Sequence, residues 1–313
     1  MLTRFDCRAV WLCAWLVVPV TGQGQAFEVS GSLTLQSLTQ GWTHTQHFEM
    51  AVSGCRALIS SSNTDIHSGY MAMRPGDGVV SMTNGSDRIA HAVGIDNGTT
   101  YRLTRFYHDG KCSTAASIEP FEVSRDEISG INYLWYAFAS SCYFRQQTNE
   151  FLEPIWTLDD AELKRQHFKE RAEWSLHKNP PFLPHKVAYY SDGLLRHRTG
   201  GVASTNRAPA PYDHGFTHFT YETLASTNVG GIEVPQEFRF IRYSFPKTTK
   251  LAPIWVVTGK IDHVSPGTSV SVFRPPFSGT ITIVDKRYSD PILSGENLIF
   301  ESQNAEWQNK RSR

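Results

Sequence analysis

Short alternating runs separated by tight-turn dipeptides constrain this chain more than any other feature. From Phe27 to Leu38, the residues Phe27, Val29, Gly31, Leu33 and Leu35 share one parity, and Glu28, Ser30, Ser32, Thr34 and Gln36 share the other. A strand points successive side chains to opposite faces, so this run reads as a half-buried strand. Gln40-Gly41 can turn it, and Phe48, Met50 and Val52 repeat the pattern. Ser53-Gly54 then reads as a two-residue turn into Cys55, Ala57 and Ile59. Asn84-Gly85, Asn97-Gly98 and Asp109-Gly110 can each adopt positive φ at adjacent residues, as tight hairpins require. They bracket two more strand-like runs, 89–93 and 100–106. Both Asn-Gly pairs also lie in glycosylation sequons, but the turn is the plainer reading.

One stretch departs from this alternation. Ile128 to Phe144, ISGINYLWYAFASSCYF, is the most aromatic part of the chain. Ile131, Leu134, Trp135, Phe138 and Cys142 recur at intervals of three and four, which places them on one side of a helix. Period two also groups Tyr133, Trp135, Ala137 and Ala139, as a buried strand would. The helix is the reading adopted, plugging or covering a sheet. Its aromatics are either core or the wall of an apolar ligand cavity. The cavity reading nominates Trp135, Tyr136, Phe138 and Phe144. A second helix is expected from Thr157 to His177, with Thr157 as cap, Asp159 and Asp160 at the positive end of the dipole, and Asn179-Pro180-Pro181 as the stop.

Strands then resume. Residues 186–190 and 194–198 flank Asp192-Gly193 as an expected hairpin, and 200–211 reads as a loop. Further strands are expected at 216–224, 237–245, 254–260, 269–273 and 280–288, with Gly230-Gly231 as a turn. From Glu301 the tail is polar and is expected to fray.

The first 26 residues read as a secretory signal. Arg4 and Arg8 precede an apolar run, Val10 to Val20, shorter than the roughly 20 residues that cross a bilayer. Cleavage is expected before Phe27, after Gly24-Gln25-Ala26; an uncleaved anchor is the alternative. No later run is long enough to span a membrane as a helix. The protein is thus expected to be exported, periplasmic or extracellular. The formal net charge of +0 leaves no basic field for a phosphate backbone, which argues against nucleic acid. Cys55, Cys112 and Cys142 remain after cleavage. They allow one disulfide with one free thiol, or three buried thiols, and spacing does not choose. A Cys112–Cys142 bridge would close a loop of about 30 residues and stabilise the fold by about 3–4 kcal/mol.

No catalytic or metal motif organises the chain. His214 and His218 have helical metal-pair spacing, but on a strand they would stand about 13 Å apart. There is no CxxC, HExxH or GxSxG, and no glycine-rich phosphate loop follows a strand. Arg196-His197-Arg198 reads as edge protection. No cofactor or metal is implied, and paired carboxylates for hydrolysis stay open because their pairing is spatial.

The N-terminal meander FEVSGSLTLQSLTQGWTHTQHFEMAVSGCRALIS resembles the start of exported proteins related to the periplasmic lipoprotein carriers LolA and LolB. IAHAVGIDNGTTYRL is similar to their following hairpin, and EVPQEFRFIRYSF and GTITIVDKRY to later strands. The resemblance implies a curved antiparallel half-barrel with a helix-covered apolar concavity, and a lipid or lipidated protein as partner. No binding motif matches, so it assigns no site residue.

The expected fold is therefore α+β, mainly antiparallel: a curved sheet or incomplete β-barrel with one or two helices on the concave side. Its expected organisation is a signal peptide (1–26), one half-barrel domain (27–300) with a helical insert at about 128–178, and a polar tail (301–313). Three functions follow in order: a non-enzymatic binder of an apolar ligand, an interaction module with a filled core, and a secreted hydrolase. A cavity, a solid interior, or convergent titratable groups would tell them apart.

Overall fold

A computed structural model of the chain describes residues 25–39, 41–63, 70–74, 78–82, 88–108, 110–120, 131–141, 144, 166–167, 170–199, 202–288 and 298–307. The elements, in chain order, are β1 (Ala26–Ser37), β2 (Trp42–Ser53), β3 (Arg56–Asn63), β4 (Tyr70–Arg74), β5 (Gly78–Met82), β6 (Arg88–Asp96), β7 (Thr99–His108) and β8 (Lys111–Pro120). Helix α1 (Ile131–Ala139) follows, then β9 (Gln166–His167), β10 (Glu170–Leu176), β11 (Pro184–Ser191), β12 (Leu194–Thr199) and β13 (Val202–Arg207). The remainder is β14 (Phe216–Val229), β15 (Ile232–Tyr243), β16 (Pro253–Pro266), β17 (Thr280–Asp285), a 3-10 turn (Lys286–Tyr288) and β18 (Leu298–Gln303).

Thirteen of these strands form one open sheet, in the order β10-β11-β14-β15-β16-β1-β2-β3-β6-β7-β8-β17-β18. Its edges, β10 and β18, do not pair with each other, so the sheet is not closed. Its pairs are antiparallel except for β8 with β17. The alternation read from the first strand sets which face is which. Phe27, Val29, Leu33 and Leu35 are all buried within one cluster, while Glu28, Ser30 and Thr34 face the other way. Register carries that face across the sheet. Leu33 pairs with Gly259, Phe238 with Gly259, and Ile59 with Val93. The larger core cluster lies on this inner face, from Tyr189 and Tyr221 through Phe238, Phe240, Val257 and Leu33 to Phe48 and Val93.

Beyond β6 the apolar residues change sides. Val93 pairs with Arg102, so Tyr101 and Leu103 point to the outer face. There they join Ile118, Ile283, Phe277 and Trp307 in a second core cluster. The connection 267–279, between β16 and β17, reaches this cluster by running across the outer face. It passes seven inter-strand steps, about 34 Å at roughly 4.8 Å each, and its residues can reach about 43 Å when extended. The strap therefore has to cross in a mostly extended form. Glu28 Oε1 accepts hydrogen bonds from the Thr268 hydroxyl (2.8 Å) and the Ser269 amide (3.1 Å) at one end. Further along, Phe273 is buried beneath the Arg56 guanidinium, 4.8 Å from ring centroid to Cζ, and Trp307 Nε1 donates to Pro275 O. Gly94 lets the strap lie down, since a Cβ there would stand 2.3 Å from Phe273 O.

On the inner side of this end, Glu119 ties three elements together. Its carboxylate accepts from Arg102 Nε (3.3 Å), Ser117 Oγ (2.7 Å) and Lys286 Nζ (2.8 Å).

Several expectations are corrected. The helix expected over 157–177 is not formed where it is described: 170–176 is strand β10, and 157–165 lies outside the described residues. Ala172 is buried and Trp174 and Leu176 half-buried, between exposed Glu173 and Ser175, a period-two pattern that overrides good helix propensity. One helix, not two, is described. Asp192-Gly193 does not close a hairpin. It passes the chain from β11 in the large sheet to β12, which pairs with β13 and β9 in a separate sheet. The expected loop at 200–211 contains β13, and the expected strand at 269–273 is part of the strap. The β2–β3 turn is Gly54-Cys55, one residue later than read, because Ser53 pairs with Arg56. The tail does not fray at 301: β18 runs to Gln303 and Trp307 is buried in the second core. Asn97-Gly98 has positive φ at both residues, as expected of a tight hairpin. The signal segment and Asn84-Gly85 lie outside the described residues.

Two measurements test this packing. A Cβ on Gly259 would fall 2.0–2.5 Å from the Phe238 ring, so Gly259→Ala is expected to destabilise the protein by about 1–3 kcal/mol in urea denaturation. Burial pushes the Glu119 carboxyl up, but Arg102, Lys286 and the Ser117 hydroxyl outweigh it and hold its pKa below the ordinary glutamate value. A carboxyl with a lower folded than unfolded pKa adds stability above its unfolded value, about 4.3, and loses it as pH falls through the folded value. Denaturation midpoints should therefore fall with acidification below that pH. Glu119→Gln should begin lower at neutral pH and fall less.

Candidate functional site

The inner face of the larger core is unusually aromatic, and α1 lies against it. The helix forms because its apolar residues repeat on every side, so no polar stripe has to be turned toward water. From Tyr133 to Ala139 every side chain is buried, none above 4% exposed. Tyr133 stacks on Phe240 of β15 at 4.7 Å. Tyr136 lies within 5.4–6.0 Å of Tyr221 and Phe219 on β14 and of Phe240. Phe138 touches Phe48 of β2 at 6.5 Å and Phe238 of β15 at 5.7 Å. Phe144, past the helix end, meets Tyr136 at 5.6 Å and Trp174 of β10 at 6.3 Å. A short helix thus reaches β2, β14 and β15, and Phe144 reaches β10 at the sheet edge. The sheet wraps around it.

The four residues nominated as cavity wall, Trp135, Tyr136, Phe138 and Phe144, are therefore brought together, each no more than 2% exposed. The sequence located the group by its aromatic density. It did not locate the opposing wall, because Phe48 of β2 is distant in the chain from Phe219, Tyr221, Phe238 and Phe240 of β14 and β15, and each alternates singly with polar residues. The grooves of about 430–490 Å³ formed by described residues lie elsewhere. One, under the strap, has a mixed lining that includes Glu28, Glu49, His263, Met50, Leu58 and Val270.

The cysteines depart from the expected pairing. Cys112 is a free, exposed thiol, so the Cys112–Cys142 bridge is not formed. Its place in the β7–β8 hairpin, opposite Tyr107, holds it at the far side of the sheet from the β2–β3 turn. Cys55, in that turn, is disulfide-bonded instead. The turn also touches the helix, since Trp135 Nε1 donates to Cys55 O at 3.2 Å.

Among the described residues, one set of convergent titratable groups lies near this core. His177 Nδ1 lies 3.0 Å from Glu233 Oε1, and its Nε2 lies 3.4 Å from Thr223 Oγ1. Carboxylate, imidazole and hydroxyl in series are the parts of a hydrolytic triad. Here the hydroxyl is buried and donates to Pro184 O at 3.3 Å, with Tyr221 OH 3.1 Å away. The series pins the loop 177–183 to β14 and β15 and offers no accessible nucleophile. Burial pushes the Glu233 carboxyl up, but hydrogen bonds from Asn179 and His177 outweigh it and leave its pKa lowered. Burial, the neighbouring His177 and Lys186 lower the pKa of His185, whose ring is 5.0 Å from that of His177. Burial raises the Tyr221 phenol despite its bond with Thr223. Ser175-Leu176-His177-Lys178 carries SxxK spacing. Ser175 lies in β10 and Lys178 in the bend beyond its end, so the two do not share a helical turn. His214 is 90% exposed in the loop before β14 and His218 is buried in the strand, so the two do not act as a pair. Among the described residues no group of three or more His, Cys, Asp or Glu could hold a metal ion.

The disulfide gives a direct test. Cys142 is the one other cysteine of the chain from Phe27 onward, so non-reducing peptide mapping of the purified protein is expected to return a Cys55–Cys142 linked peptide and an alkylatable Cys112. Such a link would stabilise the fold by about 2–5 kcal/mol, and Cys55→Ser should lower the thermal midpoint while Cys112→Ser leaves it unchanged.

No protein-family profile matches the chain, and no curated protein does. Solved structures that align loosely with it include two. One is a DUF1329 family protein from Desulfovibrio piger, at 11% identity and a TM-score of 0.25, over 79% of this chain and 88% of that one. The other is described as an outer membrane lipoprotein-sorting protein domain, from Vibrio parahaemolyticus, at 8% identity and a TM-score of 0.28, over 79% of this chain and 87% of that one. Alignments this loose assign no function, and the open antiparallel sheet with its single described helix rests on its own register and burial.

Proposed function

We propose that this is an exported, non-enzymatic binder of an apolar, lipid-like ligand in the cell envelope, and that α1 holds the ligand's place when none is bound. The observation that carries the reading is the aromatic inner face, which wraps a single short helix of the same apolar character. An isolated helix of this length is marginal in water, so α1 is held by what it packs against. The magnitudes allow exchange. An acyl chain of about sixteen carbons gains about 12 kcal/mol on burial, and five large side chains (Tyr133, Trp135, Tyr136, Phe138 and Phe144) gain roughly 8–15 kcal/mol together. Neither side dominates, so a long acyl chain can compete with the helix and a short one cannot.

A second reading has an observation of its own. The inner face is already filled, as an interaction module with a complete core would be.

Native mass spectrometry of the mature chain, before and after incubation with mixed envelope lipids, separates the two. The binder is expected to carry a lipid-sized adduct that is lost on denaturation, with longer acyl chains retained better. It should also show increased amide exchange in 131–139 when loaded. A clean apo mass under both conditions would move the protein to the interaction module. Phe138→Ala is expected to cost about 3–5 kcal/mol of apo stability yet to raise acyl-chain retention, because on this reading Phe138, nominated from sequence as cavity wall, belongs to the helix that the ligand displaces, and the sheet face stays intact.

A further inference from the structure

We infer that one end of the sheet, built from the β1–β2 turn and the β15–β16 loop, docks on an anionic phospholipid bilayer. The two segments form one surface, since the Leu38 amide donates to Ile254 O at 2.9 Å. Ser37 pairs with Trp42 on one side and with Trp255 on the other. Both indoles therefore flank Ser37 on the inner face, with ring centroids 5.0 Å apart. Trp42 packs against the larger core, so the pair sits at the rim where that core meets solvent. Leu38 projects beyond it, 42% exposed, beside half-buried Leu251 and exposed Ala252 and Pro253.

A lone exposed leucine would mean nothing. Here it stands with two indoles, which favour the level of lipid headgroups, and with cations. Lys247 and Lys250 are exposed in the β15–β16 loop, Arg242 lies half-buried in β15 just before it, and no Asp or Glu occurs in 38–45 or 241–256. Tyr212, whose hydroxyl accepts from the Leu251 amide at 3.1 Å, brings its neighbour Asp213 toward this end; Asp213 itself is 3.5 Å from His214 Nε2. The whole chain has a formal net charge of +0, so this excess is local. The base of the loop is closed by the Ser244 amide, which donates to Ala252 O at 3.0 Å. An exposed apolar tip in segments that carry cations and no acid matches a surface that is acidic outside and apolar a few ångströms in. The same charge opposes a second copy of this chain in that place.

The test is flotation of the mature chain with vesicles of phosphatidylglycerol and phosphatidylcholine, against vesicles of phosphatidylcholine alone. Salt-sensitive flotation with the anionic vesicles only, with a blue shift of tryptophan emission, is expected. Lys247→Glu/Lys250→Glu and Leu38→Asp alter exposed residues and should each weaken partitioning about ten-fold or more, with unchanged thermal midpoints. No flotation, equal flotation on neutral vesicles, or variants that float like the parent would overturn the inference. So would self-association abolished by Leu38→Asp, which would assign the end to a second copy. Acyl adducts in native mass spectra do not depend on these residues, so the binder reading and the docking surface fail separately.

Discussion

The packing of one apolar helix into an aromatic sheet face is the interaction on which the larger half of this fold depends. The strands of the inner face place Phe48, Phe219, Tyr221, Phe238 and Phe240 side by side, and without a cover they would leave a large apolar surface in water. Helix α1 supplies that cover and is itself too short and too apolar to exist elsewhere. Each stabilises the other, and the wrapping of the sheet follows from both. Gly259 shows how closely this is fitted: it leaves its site empty so that the Phe238 ring can lie flat over β16.

The change of apolar face at β7 sets the remaining architecture. Once Tyr101 and Leu103 point outward, the chain needs a second cover on the opposite side, and α1 cannot provide it. The strap and the C-terminal residues do so, with Phe277 and Trp307 as the main contributors. This explains why the strap is extended. It must leave the middle of the sheet at β16 and rejoin it beyond β8, and the parallel pairing of β8 with β17 is the result of that crossing.

Much of this was legible in the sequence where structure is local. The alternation of Phe27 to Leu35 gave strand and face correctly, Asn97-Gly98 gave its turn, and the three- and four-residue spacing around Trp135 gave the helix. What failed depended on partners. Ala172, Trp174 and Leu176 sit among good helix formers, and only a neighbouring strand, β11, makes their alternation decisive. Asp192-Gly193 has the chemistry of a hairpin turn, but turn chemistry does not say which strand comes next to which. Trp307 looked like part of a polar tail because its pocket is assembled from β7 and the strap. Of the site, the helix side was readable as a cluster in sequence. The opposing wall was not, since its residues alternate singly with polar ones on separate strands.

The pairing of β1 with β16 has a consequence for how the chain is made. Phe27 lies opposite Pro266, and the first strand to be synthesised is central in the finished sheet. Until β16 emerges, β1 can pair with β2 alone and keeps an open hydrogen-bonding edge. Open edges recruit other chains, and contacts this distant in sequence form slowly. The nascent N-terminal meander is therefore the part of this protein most exposed to aggregation, and a product truncated before β16 would leave the larger core permanently unclosed along its middle.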